Sequence, residues 1–464
     1  MATVVFPSLA RAYTVPASHH RYTYIFSRPS TSTSTASTIL FLHGFPSSSY
    51  DWRHQITFFI TNGYGVLAPD LLGYGQNTSA SGADANDPAQ PTELSDYKAK
   101  TMSADIIALL DHENISGPVH AVGHDTGCYL LSRLGNYYPT RLASLSFLEV
   151  PYQKPGEGFH LDAINEMVKQ VLGFERFGYL KFFVSEGAAG LIEEHVDSFF
   201  TLFYPAEADL WIEHLGPTGA LETWLRNDRK APLAPYITEE EKSTQFKIMR
   251  GHYKSALMWY RALVGNINVD DEIQAQLDSK LYQPVLMLTS QPSRLNIPGA
   301  AAGMMKQFAQ NLTVREVDAK GHWIQLEARD EVREAVASKL PVDAELTRPK
   351  QVRHLNLKSL IHSPAPILHT HHITSLKSNR ALPLLDAAVV GRYAYPGICC
   401  YNLEGILVTV RAADAKRSPA MNLTFPWAIQ YTGALLVHAA ASAACVAPVP
   451  VILHLDYAQS AEVI

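Results

Sequence analysis

Short apolar runs at 39–42, 66–68, 119–122 and 145–150 are each bounded by turn residues, the pattern of strands buried on both faces. Between them, 102–112 and 128–138 carry helical spacing. Strand and helix in alternation predict an α/β fold, a mostly parallel sheet with helices on both faces. The pattern then changes: from about 153 to 271 aromatic-rich helical text dominates and no clear strand is visible. Strand grammar resumes at 284–290 and 314–317, with a helix expected over 323–340. A helical insertion within such a sheet is most simply a cap over the C-terminal strand ends, where open sheets gather their active sites.

The expected organisation is a core made of 1–151 and 272–342, a helical cap at 152–271, and a C-terminal extension at 343–464. After about Val342 the text is a scatter of Pro and His, followed by an Ala-rich apolar stretch at 432–453. We expect this extension to be weakly folded or disordered, and its texture argues against a natural continuation of the gene product before it. His354, His362, His369, His371 and His372 lack ligand spacing, so no metal is expected. The apolar stretch is interrupted by His438, Pro448 and Pro450, which argues against a membrane span.

Composition narrows the classes. A net charge of -6 excludes a nucleic-acid or polybasic membrane role. Of the four Cys, only Cys128 lies in the α/β part, so a reducing, cytoplasmic setting is expected and a disulfide framework is not. The N-terminus has no basic region followed by a long apolar run, so no signal peptide is read there.

Candidate chemistry starts at Val119-His120-Ala121-Val122-Gly123-His124-Asp125-Thr126-Gly127-Cys128, a strand, a sharp turn and a helix start. Gly123 and Gly127 flank Asp125 as in a nucleophile elbow, which presents the central residue above the sheet. A carboxylate is already ionised at neutral pH and attacks saturated carbon without a base, leaving an ester for water to cleave. The plain alternative is an Asp that caps the following helix. Leu42-His43-Gly44-Phe45-Pro46 follows another strand, and the backbone N–H groups of Phe45 and Thr126 are the expected oxyanion donors. Val317-Asp318-Ala319-Lys320-Gly321-His322-Trp323 puts a His after a strand end, where His322 can activate the hydrolytic water; a surface-loop His is the alternative.

His43-Gly44-Phe45-Pro46, Gly123-His124-Asp125-Thr126-Gly127, Met258-Trp259-Tyr260-Arg261 and Gly321-His322-Trp323 resemble, in this order, the text of soluble epoxide hydrolases. Asp51-Trp52-Arg53 and Asp70-Leu71-Leu72-Gly73-Tyr74-Gly75 are similar to that family too, and the resemblance covers roughly residues 5–340. It implies an α/β-hydrolase core with a helical cap, a cis peptide before Pro46, and hydrolysis of a small apolar epoxide by water to a vicinal diol, with no metal or organic cofactor. It also implies two cap tyrosines that donate to the epoxide oxygen, matched by Tyr179 and Tyr260. With 22 Tyr in the chain, packing alone is the alternative for either, and Tyr253 is the neighbour most easily confused with Tyr260.

One family position departs. Where the family's acid follows the strand at 284–290, this chain has Ser293. Glu149, at the end of the preceding strand, stands where some haloalkane dehalogenases of the superfamily place their acid, and it is the expected substitute; a local pairing with a cap residue is the alternative. Two other functions stay open: a haloalkane dehalogenase with the same nucleophile, disfavoured by Thr126, Phe45 and the paired tyrosines, and a catalytically impaired scaffold that binds a small ligand, favoured by Ser293 alone.

Overall fold

The computed structural model describes residues 5–30, 37–75, 90–295 and 299–340, and three strands of the last quarter. Eight strands form one sheet: β1 Ala10–Thr14, β2 Arg21–Ser27, β3 Thr38–Leu42, β4 Gly65–Pro69, β5 Val119–His124, β6 Leu142–Leu148, β7 Val285–Thr289 and β8 Leu312–Glu316. Their spatial order is β1-β2-β4-β3-β5-β6-β7-β8. The first two pairings, β1 with β2 and β2 with β4, are antiparallel, and the rest are parallel. The α/β expectation therefore holds. β3, β4 and β5 are buried at every position, which is why their sequences read as continuous apolar runs instead of alternating.

Element limits shift by a few residues. Helices span Ala99–His112 and Thr126–Tyr137; the first ends where expected, and the other limits lie one to three residues from the expected ones. The helix expected over 323–340 is two pieces, Ile324–Glu327 and Arg329–Ala337, separated at Ala328, which has non-helical backbone angles.

Between β6 and β7 the chain is helical, from Leu161–Leu172 to Val269–Gln274, and its strand-like feature is an isolated antiparallel bridge of Pro205 with Leu233. Side-chain hydrogen bonds tie this insertion to the sheet's loops. Tyr204 donates to the Pro46 carbonyl at 2.8 Å, Trp259 to the Leu72 carbonyl at 2.7 Å, and Trp323 to the Phe203 carbonyl at 2.7 Å. The indole of Trp323 also stacks on Tyr204, with centroids 4.4 Å apart.

Met1–Val352 is one compact unit and Arg353–Ile464 a second. In the second, β9 Gly397–Cys399, β10 Ala420–Thr424 and β11 Val451–Leu455 form a parallel sheet in the order β11-β10-β9. The five C-terminal histidines, Cys400 and most of the stretch at 432–453 lie outside the described residues. Among the described residues no helix is long and apolar enough to cross a membrane.

Candidate active site

Asp125 sits between the last residue of β5 and the helix Thr126–Tyr137, with φ 51° and ψ -122°. This is a sparsely populated backbone state for a residue with a side chain, of the kind that collects at functional sites. Two glycines make the turn possible. A Cβ on Gly127 would lie 2.2 Å from the Leu42 carbonyl oxygen, and one on Gly44 would lie 2.4 Å from Asp125 Cβ. Backbone, strand and oxyanion turn thus meet at a distance that excludes any side chain.

The Asp125 carboxylate is shared between two partners. The Phe45 N–H donates to Oδ1 at 3.0 Å, and His322 Nε2 stands 3.5 Å from Oδ2. Burial pushes the Asp125 carboxyl up, but His322, His124 and the Phe45 N–H outweigh it and hold the group below the usual carboxylate range. Asp125 is therefore ionised at neutral pH. Both side chains stay reachable, Asp125 17% and His322 16% exposed. The Phe45-Pro46 peptide is cis, as the resemblance implies.

His322 is held by its neighbours. His124 Nε2–H donates to the His322 carbonyl at 2.9 Å, while Gln325 donates to His124 Nδ1 at 3.2 Å. Those two bonds fix His124 as one neutral tautomer. Burial and the nearby His322 push its pKa down to about 3, consistent with that assignment. The His322 ring lies 4.6 Å from that of His124 and 5.7 Å from Trp211, centroid to centroid.

Tyr179 and Tyr260 line the same cavity as Asp125 and His322, which measures about 90 Å³. Tyr179 opens the helix Tyr179–Phe183, and Tyr260 lies in Met258–Val264. Their rings pack on Phe183 from 5.2 and 4.9 Å, and Phe45 meets Tyr260 at 5.4 Å. Burial, then the Asp125 charge, pushes both phenols well up, so both remain protonated donors. Tyr253 packs against Phe45 and Phe199 and is absent from the cavity lining.

Glu149 also lines the cavity, at φ 65°, a second strained residue at a strand end. Its carboxylate is taken by the Ser290 backbone N–H, and among the described residues it makes no hydrogen bond to His322. The two groups interact through space: burial pushes the Glu149 carboxyl up, opposed first by His322 and then by Ser290 and Arg176. Ser293 is occupied locally, its hydroxyl accepting from the Leu295 N–H at 3.2 Å.

The family model for the alpha/beta hydrolase fold matches residues 37–329. The chain belongs to the α/β-hydrolase fold family. A relative of this α/β hydrolase, an epoxide hydrolase of Neurospora crassa, is 25% identical over 338 residues, covering 70% of this chain and 92% of its own. Among solved structures, epoxide hydrolase A of Mycobacterium thermoresistibile is similar in fold, with a TM-score of 0.55 and 21% identity, covering 71% of this chain and 98% of that one.

The α/β hydrolase carries a different text behind it. The family model for class-II fructose-bisphosphate aldolase matches residues 379–464. A putative fructose-bisphosphate aldolase of Coccidioides immitis is 64% identical over 90 residues, 19% of this chain, and the chain spans 30% of that relative's length.

Sequence reasoning did not single out Arg176, which lines the cavity beside Glu149 and Tyr179, nor the roles of His124 and Gln325. The available signal for Arg176 was its place three residues before Tyr179, in Phe174-Glu175-Arg176-Phe177.

Proposed function

We propose that this α/β hydrolase converts a compact epoxide to a vicinal diol through an ester on Asp125. The observation that carries the reading is the convergence of an ionised carboxylate and two protonated phenols on one cavity. Asp125 Oδ2 attacks a ring carbon, the C–O bond breaks, and the departing oxygen takes a proton from Tyr179 or Tyr260. An alkoxide is far more basic than a phenolate, so the phenols donate even with raised pKa. Water then attacks the ester carbonyl carbon and gives its proton to His322. The Phe45 and Thr126 N–H groups hold the resulting oxyanion. Collapse breaks the acyl C–O bond, His322 protonates the diol oxygen, and the proton left on the new Asp125 carboxyl passes to the phenolate, restoring the tyrosine and an Asp125 carboxylate that keeps one oxygen from water.

The epoxide hydrolase names of the Neurospora and mycobacterial relatives agree with this reading, and the aromatic lining of Phe45, Phe177, Phe203 and Trp211 suits an apolar substrate. Incubation with styrene oxide and, separately, with a 1-haloalkane checks it. Diol from the first and no halide from the second is the expected result. Halide release would point to a dehalogenase, and neither product to an impaired scaffold.

A further inference from the structure

Arg176 is a charge inside the cavity that the two-step reaction leaves without a task. It lines the cavity with Glu149 and Tyr179, and the Glu149 charge favours its positive form against burial. The segment that carries it is fixed on several sides. The Gly178 N–H donates to the Gly216 carbonyl at 2.7 Å, the Phe177 N–H to Asn165 Oδ1 at 2.8 Å, and the Thr218 N–H to Glu175 at 2.9 Å. Backbones approach so closely that a Cβ on Gly178 would lie 2.3 Å from the Thr218 nitrogen, and one on Gly216 would lie 2.4 Å from the Glu175 carbonyl. The backbone that carries Arg176 is therefore held in place at the cavity wall.

Glu149 is equally fixed from the sheet side. Its N–H donates to the Leu288 carbonyl at 2.9 Å, and its carboxylate accepts from Ser290. Two groups of opposite charge thus share one cavity with His322 and Asp125, one anchored through its carboxylate and the other carried on a fixed stretch of backbone.

We propose that Arg176 is a positioning residue for the ester-hydrolysis step, holding Glu149 as an anion beside His322. This rests on the Asp125-ester reading above. A lone carboxylate in this setting loses hydration and tends to take up a proton. A neutral Glu149 offers no charge to the imidazolium that forms when His322 accepts the water's proton. The charged and titratable side chains that line the cavity with Glu149 are Asp125, Arg176, Tyr179, Tyr260 and His322, while the Cys128 thiol, which burial keeps neutral, interacts with it from the helix Thr126–Tyr137. Arg176 is the permanent cation of that set.

The test titrates the full-length protein, labelled with [13C]carboxyl glutamate, with Glu149 assigned by its absence from E149Q. In R176Q the Glu149 midpoint should move up by about 1 unit, and R176K should restore most of it. In parallel, with styrene oxide as probe, decay of the Asp125 ester near neutral pH should slow about tenfold in R176Q, with a smaller change in ester formation. An unmoved Glu149 midpoint in R176Q overturns the proposal, as does unaltered ester decay. A midpoint that follows Arg176 in a protein that never forms an ester supports the Arg176–Glu149 coupling and sinks the Asp125 reading instead.

Discussion

At the scale of single residues, the proposed reaction assigns the two tyrosines and the histidine to different steps. Tyr260→Phe removes one hydroxyl and keeps the ring packed on Phe45 and Phe183, so the fold should survive. Ring opening should slow by about 100-fold or more, and Tyr179→Phe should act in the same direction. Rapid-quench measurement of ester formation in each variant checks this, and unchanged alkylation in the double variant removes both from the mechanism. Much of this site was legible in the sequence, because Asp125, Gly127, Phe45 and His322 sit in short local motifs whose backbone needs are visible in the residues themselves. Arg176 and the Glu149–Ser290 contact were not. They depend on how the insertion folds back on the sheet, and no local pattern records that.

Glu149 is the residue on which the sequence expectation and the geometry need joint reading. It occupies the cavity and couples to His322 by charge, with its direct hydrogen bond going to Ser290. Glu149→Gln should therefore slow ester hydrolysis more than ring opening. Equal slowing of both steps would assign Glu149 to the substrate side.

At the scale of elements, the antiparallel β1–β2 pair is fastened to the helix Ala99–His112 by a buried cluster. His20 Nδ1 lies 2.7 Å from Asp105 and its Nε2 3.6 Å from Asp96, while Tyr22 donates to Asp105 at 2.9 Å. Burial pushes the His20 pKa down, but the two carboxylates outweigh it and bring the pKa up to about 9 from 6.5. The protonated form is favoured by the fold. Its contribution is fully present below pH 6.5 and is lost as pH rises through about 9. At full strength it is at most about 3 kcal/mol. His20→Gln should lower Tm at pH 6, and the gap from wild type should shrink by pH 10. A gap independent of pH would mean that the cluster acts by packing alone. Nothing in the local sequence announces this cluster, since its members come from a loop, a strand and a helix far apart in the chain.

Strand existence was easier to read than strand limits. The apolar runs mark β3, β5, β6 and β7 because both faces of a central parallel strand are buried. β8 is different: its residues are half-buried or exposed, so the run at 314–317 marks its end and misses its start at Leu312. The break at Ala328 is likewise invisible in the helical spacing of 323–340.

At the scale of the whole chain, every described residue that lines the cavity lies between Phe45 and Trp323, within the unit Met1–Val352. A chain ending at Val352 should keep the epoxide-opening activity within about twofold; a collapse of activity with the fold intact would show that the site extends beyond this unit. The change of texture after Val342 is followed by a change of resemblance, since residues 379–464 match a second family model, that for class-II fructose-bisphosphate aldolase. The likeness of residues 379–464 to that aldolase model was not legible in the sequence, because scattered Pro and His carry no periodic signal.

The central claim is that Asp125 becomes covalently attached to substrate and that water then attacks the Asp125 carbonyl. The most direct measurement is a single turnover of styrene oxide in H₂¹⁸O, followed by mass analysis of the Asp125 peptide and of the diol, with His322→Gln alongside. The expected result is ¹⁸O in the Asp125 carboxylate and none in the first-turnover diol, with an ester accumulating at Asp125 in His322→Gln. Label in the diol with an unlabelled Asp125 peptide would mean that water attacks the epoxide directly, and would contradict the claim.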